Sequence, residues 1–303
     1  MSSSDNTSHI IQSLIVNIVI ASAKAVAAVF TKSGAMLAEA IHSFADCTNQ
    51  ILLLLGVREA RKTPDDKHPL GYGRTVYFWS FLVALLLFTG GGVFSVYEGY
   101  HKITSPEPVH YVGIGIAILL FALCLEGWAT ISNLREMKKR RGSASLWQYL
   151  RDTKDSDLVV VFGENSAASL GLLIALIATI CAWLTEDSTW DGVGCLGIGL
   201  VLIGVAIFLA IEVKSLLLGE SADPRIEGTV RALANEFQDI TQLLHIITVQ
   251  QGPGQVVVLV KLSFQPTLNI GTVSDVINQF EDRIRAQLPE VRWCFVEPDR
   301  PRV

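Results

Sequence analysis

The stretch Ala38 to Gly56 carries Glu39, His42, Asp46 and Asn49 at spacings of three, four and three. On an α-helix those intervals align the four side chains along one stripe. His42 offers an imidazole nitrogen and Asp46 a carboxylate oxygen one turn further on, a pair suited to Zn²⁺ and related first-row divalent cations. Two ligands on one helix make half of a tetrahedral site, so another helix must supply the rest. The competing reading is a His–Asp hydrogen bond that ties helices together.

A second polar cluster stands in "VVVFGENSAASLG", where Glu164, Asn165 and Ser166 interrupt an apolar run. A carboxylate in such a run needs a partner. Asn17 and Lys24 lie seven apart and share a helix face. Asn17 either bonds another helix or lines an ion path. Lys24 stands near the outer end of its run and is expected to snorkel to the interface. Glu98 in "SVYEGYHK" is expected to be interfacial.

The elements that position these residues follow from composition. Half of the 303 residues are apolar and 17% are charged, and the mean hydropathy is positive; these place the chain in the membrane class. Ile10–Phe30, Phe78–Tyr97, Tyr111–Ile131, Leu158–Leu184 and Val193–Val213 are apolar runs, each near the roughly 20 residues that span a bilayer. The stretch from Ala38, extended to Val57, makes a sixth. Met1 to Ser8 is polar and lacks Lys and Arg, unlike a signal peptide, so the first helix is expected to be retained. A plasma (bacterial inner) membrane is the default location, with an upstream transit peptide open as an alternative.

The net charge of −5 argues against nucleic acid. Basic residues concentrate between spans two and three (Arg58, Arg61, Lys62, Lys67, Arg74) and between spans four and five (Arg135, Lys138 to Arg141, Arg151, Lys154). The positive-inside rule puts both loops, and with six spans both termini, in the cytoplasm. "KKRRGSAS" reads as a solvated basic loop. Cys47, Cys124, Cys181, Cys195 and Cys294 are scattered without a Cys-x-x-Cys pair and read as buried, reduced thiols.

After Val213 the character changes. Gly219 is a helix stop and Pro224 a helix start. Asp223–Phe237 reads as an amphipathic helix. "QLLHIITVQQGPGQVVVLVKLSFQ" reads as two strands around a Gly-Pro-Gly turn, followed by a helix in "SDVINQFEDRIRAQL" and a strand in "VRWCFVEPD". The order is α-β-β-α-β.

"TKSGAMLAEAIHSFADCTNQILLLLG", "HPLGYGRTVYFWSFLVALLLF", "LLLGESADP" and the closing "FVEPD" resemble the cation diffusion facilitator family of metal transporters. The resemblance covers nearly the whole chain and is greatest to the branch that includes zinc transporter nine. It implies a homodimeric metal/proton antiporter. The implied architecture is a polar N-terminal tail over 1–9, a six-helix transmembrane α-helical transport domain over 10–215, and an α+β ferredoxin-like cytoplasmic domain over 216–303. It also implies a transport site joining His42 and Asp46 on span two to Glu164 and Asn165 on span five. Asn17, Glu39 and Ser166 are possible additions. Asn165 stands where that branch usually has Asp, and no histidine occurs in span five. Asp65, Asp66 and His68 match a further metal-binding loop of some relatives, but with Tyr72 at a position that can be His a structural loop is expected. His245 is the only histidine of the C-terminal domain, which is therefore expected to act in dimerisation rather than metal loading.

Imidazole and carboxylates must be deprotonated to bind a divalent ion, so cargo arrival would release protons. The expected function is Zn²⁺/H⁺ antiport by alternating access, with no cofactor beyond the transported cation. Mn²⁺, Fe²⁺ or Co²⁺ stay open as cargo. A non-transporting partner subunit is a second class. An intramembrane metalloenzyme is disfavoured by the lack of a second histidine pair or a positioned nucleophile.

Overall fold

The computed structural model describes residues 3–140, 145–152 and 156–301. Arg141 and Lys154 of the basic loop lie outside them. Ten α-helices and three strands are found among the described residues. The first helices are α1 (Ser3–Thr31), α2 (Gly34–Ala60), α3 (Thr75–Leu86) and α4 (Phe94–Thr104). They are followed by α5 (Val112–Arg140), α6 (Leu146–Asp152), α7 (Ser156–Thr185) and α8 (Thr189–Leu218). A π-helical segment, Leu87–Val93, joins α3 to α4 into one continuous rod.

Five helical segments are long and apolar enough to cross a membrane: α2, the α3–α4 rod, and the segments of α5, α7 and α8. Within α1, Asn17–Thr31 is apolar but shorter. The chain is a multi-pass membrane protein. Its outward faces carry large apolar side chains, among them Val29, Phe121, Leu184 and Leu200, as lipid contact requires. Cys124 is also exposed and Cys181 half-buried, which corrects the expectation that all five thiols are buried: both belong to helices that are themselves only partly covered.

The chain gathers into two compact units. One holds the apolar bodies of α1, α2, α3–α4, α5, α7 and α8; the other holds chiefly Gly56–Phe78 and Val213–Val303. In the first, the α3–α4 rod meets α8 through glycines. A Cβ on Gly92 would stand 2.6 Å from Ile203, and one on Gly199 2.8 Å from Val96. Small residues let the two backbones approach closely, as in helix pairs packed without a hydrophobic drive.

Helix α2 starts where Lys32 adopts a positive φ of 54°. Its orphan N–H groups are satisfied from a distance: Asp191 at the start of α8 accepts from Gly34 N (2.6 Å), Ala35 N (3.3 Å) and Ser33 Oγ. Ser33 Oγ in turn accepts from Met36 N at 3.1 Å. A carboxylate at a helix N-terminus also opposes the positive end of its dipole. This clamp ties the start of α2 to the start of α8.

In the second unit, α9 (Pro224–Glu236) is capped by Asp223, which accepts from Arg225 N. Strands β1 (Ile240–Gly252) and β2 (Gln255–Phe264) pair antiparallel, and β3 (Val291–Pro298) adds parallel to β2 after helix α10 (Ile270–Gln287). The α-β-β-α-β order is the one read from the sequence. On β2, Val256, Val258, Val260 and Leu262 alternate onto the core face and meet Ile226, Val230, Leu233, Phe280 and Ile284 of the two helices. The loop from α2 joins this unit: a Cβ on Gly73 would collide with Gln251 O, and Gln251 Nε2 donates to Leu70 O at 3.5 Å.

Candidate functional site

The stripe on α2 turns inward. Glu39, His42 and Asn49 are fully buried. His42 Nε2 lies 3.6 Å from Asp46 Oδ2, beyond hydrogen-bond reach, and neither ring nitrogen has a partner. Glu39 Oε1, Asp46 Oδ1, Asn49 Oδ1 and Gln50 Oε1 are likewise buried without one. Six orphaned polar atoms within twelve residues depart sharply from the usual pairing of buried groups.

Asp46 lines a cavity of about 390 Å³ between α1, α2, α5 and α7, together with Asn17, Gln50, Glu126, Glu164 and Asn165. Glu164 accepts from Asn49 Nδ2 at 2.6 Å, a bond that ties α7 to α2. Thr130 of α5 ties α5 to α7, donating to Asn165 O at 3.0 Å beside Ser169 Oγ at 2.8 Å. The wall thus combines carboxylates, neutral amides and apolar side chains. His42, Glu39 and Ser166 are not on it; His42 reaches it only through Asp46. Among the described residues, no three His, Cys, Asp or Glu side chains already surround one point that could hold a metal ion.

Beside the cavity lies a charge network. Lys24 Nζ, 1% exposed, donates to Ser43 Oγ (2.8 Å), Glu126 Oε1 (2.9 Å) and Glu39 Oε2 (3.3 Å). The snorkelling expected for Lys24 does not occur. Acceptors on α2 and α5 stand within its reach, and a buried ammonium holding three of them needs no path to water.

A model of the cation efflux transmembrane domain matches residues 10–218, more than half of the chain. The chain belongs to the cation efflux family. It is 33% identical over 223 residues to the proton-coupled zinc antiporter SLC30A9, mitochondrial, of Xenopus laevis, covering 73% of this chain and 38% of that protein. It is 28% identical over 271 residues to the Homo sapiens protein of the same name, covering 89% and 47%. It is 27% identical over 228 residues to metal tolerance protein C4 of Arabidopsis thaliana, covering 74% and 50%. The chain therefore spans half or less of the length of these relatives. The likeness falls in the zinc transporter nine branch, as the sequence motifs indicated.

Within this cation efflux chain, the cavity brings together Asn17, Asp46, Glu164 and Asn165 of the residues named from sequence. Glu39 is drawn away into the Lys24 network, its Oε1 resting against Gly171 of α7, where a Cβ would collide with it. Glu126 and Gln50 on the wall were not singled out from sequence, nor was the Asp191 clamp. Glu126 carries the same signal as Glu164, a lone carboxylate inside an apolar helix. At the loop after α2, Asp65 Oδ2 accepts from the Tyr72 hydroxyl at 2.6 Å and Oδ1 from Lys67 N and His68 N. The His68 and Tyr72 rings lie 4.2 Å apart. The Tyr72 hydroxyl, followed by the His68 and Lys67 amides, holds the Asp65 carboxyl below its ordinary range. On β1, His245 is exposed and paired opposite Lys261.

Proposed function

We propose that the chain is a proton-coupled transporter of divalent metal cations, with Zn²⁺ the first cargo. The cation enters the α2–α7 cavity at Asp46 and Glu164, His42 joins the ligand set from behind Asp46 as the helices close on it, and Asn165 and Asn17 are weaker neutral donors. The observation that carries this reading is His42: an imidazole with both nitrogens buried and unpartnered, beside an Asp46 whose Oδ1 is also orphaned. A group left so costs about 1–3 kcal/mol, and a cation or a proton arriving there is what would satisfy it.

The exchange follows from the ligands. A metal binds the neutral imidazole and the ionised carboxylates, so its arrival displaces whatever protons they hold, and protons entering from the other side displace it in turn. Closed packing on one side and opening on the other, by rocking of helices about the cavity, would make the exchange vectorial. The names of the vertebrate relatives, zinc antiporters coupled to protons, support the cargo and the coupling. Homodimerisation belongs to the same proposal. The sheet face opposite the helices exposes Ile247, Leu259 and Phe295 in one cross-strand row, an apolar patch that a second copy would cover.

The test is flux into liposomes holding a metal-sensitive dye under an imposed pH gradient, comparing Zn²⁺, Mn²⁺, Fe²⁺ and Co²⁺. Gradient-dependent Zn²⁺ flux that is lost in Asp46→Ala and in Glu164→Ala is expected. Flux of another ion alone would reassign the cargo. No flux of any ion from folded protein would overturn transport in favour of a partner subunit.

A further inference from the structure

The α7 half of the site is short of charge. Position 165 holds a neutral amide, and Glu164 already accepts from Asn49. Glu126 of α5 lines the same cavity. Among the described residues only Lys24 hydrogen-bonds its carboxylate, and at Oε1. Lys24 cannot neutralise both acids it touches. Glu39 is completely buried while Glu126 is 20% exposed, and a carboxylate with no access to water depends far more on a fixed cation. Lys24 stands 2.9 Å from Glu126 and 3.3 Å from Glu39, so one ammonium faces two carboxylates and leaves one negative charge over; of the two acids only Glu126 reaches the cavity, where a cation can take up that charge.

We propose that Glu126 is a ligand of the transported cation, supplying the carboxylate that Asn165 does not, and that Lys24 is the positioning residue that aims it from α1. The proposal rests on the reading of the cavity as the transport site. It makes the site a three-helix arrangement, with α2, α5 and α7 each contributing at least one acid: Asp46, Glu126 and Glu164. Three ionised carboxylates around an imidazole favour a divalent over a monovalent ion, and because they do not already surround one point, the helices must draw together on cargo. Such closure gives binding a direct hold on the relative placement of α5, which alternating access requires.

The experiment uses the purified 303-residue chain in detergent, with Zn²⁺ affinity from calorimetry and the visible spectrum of added Co²⁺, whose bands report the number and kind of its ligands. Asp46→Asn should abolish both signals. Glu126→Gln, which leaves the Lys24–Glu39 pair balanced, should weaken Zn²⁺ binding at least about tenfold and change the Co²⁺ spectrum. Lys24→Gln combined with Glu39→Gln should keep the wild-type spectrum at reduced affinity. Unchanged affinity in Glu126→Gln overturns the proposal, as does weaker binding with an unchanged spectrum, which would make Glu126 a through-space charge only. Unchanged affinity in the Lys24/Glu39 variant overturns the positioning role. If Glu126→Gln does not fold, Glu126→Ala replaces it, and an unchanged spectrum there again overturns ligation. Should Asp46→Asn bind like wild type while Glu126→Gln does not, the fault lies with the assignment of Asp46 and the site moves to the α5 wall.

Discussion

Between Glu39 and Gln50, helix α2 buries six side-chain nitrogen and oxygen atoms without a partner, whereas among the described residues of Val213–Val303 no buried side-chain polar atom lacks one. The sheet-and-helix unit keeps its polar groups in ordinary pairs: Thr248 Oγ1 accepts from Ala222 N, and Gln250 donates to Gly252 O. Its interior is otherwise aliphatic, with Phe280 at its centre. The two regions solve different problems. One pairs its buried polar groups internally; the other leaves them unpaired, which is the binding capacity that the proposed transport role requires. Groups held ready for a ligand destabilise the free protein, which is the usual trade between stability and function.

The sharpest way to break this contrast is to mutate both regions and read both properties. Phe280 is fully buried and meets the Phe237 ring edge-on at 5.6 Å. Phe280→Ala should destabilise the unit by about 3–5 kcal/mol while leaving Zn²⁺ affinity per folded chain unchanged. Cys294 reports the loss: its thiol is buried and its pKa pushed up to about 12 by that burial, so it reacts with maleimide only when the unit opens, as peptide mass mapping would show. His42→Leu should do the reverse, abolishing binding while stability holds or rises by about 1 kcal/mol. A His42→Leu chain that unfolds would show that the stripe is structural, and the contrast between the regions would vanish.

The Asp191 clamp tests where the site's precision comes from. Asp191 satisfies three groups at the start of α2, two of them backbone N–H. Asp191→Ala should cost about 1–2 kcal/mol through the lost cap and let α2 rotate or fray. If the stripe depends on that rotation, Zn²⁺ affinity falls although Asp191 is not on the cavity wall. Thermal melts with calorimetry on the same sample separate the two effects, and unchanged affinity would show that α2 is oriented by the Lys24 and Asn49 bonds alone.

Much of this was legible in the sequence, and for identifiable reasons. Period-2 and period-3.6 patterns gave the α-β-β-α-β order, because a half-buried strand or helix must alternate. Gly219 and Pro224 marked the end of α8 and the start of α9 through backbone constraints that depend on no partner: Gly219 has a φ of 101° and Pro224 sits at the first turn of α9. The stripe Glu39–Asn49 was visible because its members lie on one helix. What pairs with what across helices was not. Lys24 read as snorkelling since its three acceptors sit 15, 19 and 102 residues away. Glu126 escaped notice because it stands alone between Leu125 and Gly127, whereas Asn165 and Ser166 beside Glu164 make a polar cluster. Glu39 changed from candidate ligand to counter-ion for the same reason: its partner is on α1. Helix-internal geometry can be counted from sequence, but contacts between helices depend on packing that close-fitting glycines such as Gly92 and Gly199 decide.

The smallest expected effect concerns the loop Asp65–Tyr72, where the Asp65 carboxylate is engaged by its own turn. The Tyr72 hydroxyl is the leading cause of the low Asp65 pKa, with the His68 and Lys67 amides behind it. A carboxyl depressed in the folded state contributes stability above its unfolded pKa of about 3.9, and loses it as pH falls through the folded value. Tyr72→Phe removes the strongest donor. The Asp65 titration should then move up toward its ordinary range, so the turn loosens at a higher pH than in the parent chain. Exchange protection of the His68 amide, followed between about pH 2 and 5, reads this directly. Protection that falls at the same pH in both chains would assign the turn to its backbone bonds, such as His68 N to Asp65 O at 3.1 Å, rather than to the tyrosine. Neither outcome should alter Zn²⁺ affinity at the cavity if the loop is structural. A loss of affinity on Tyr72→Phe would instead mean that Asp65 and His68 hold cargo of their own, and the division between a region that binds and a region that folds would have to be redrawn at this loop.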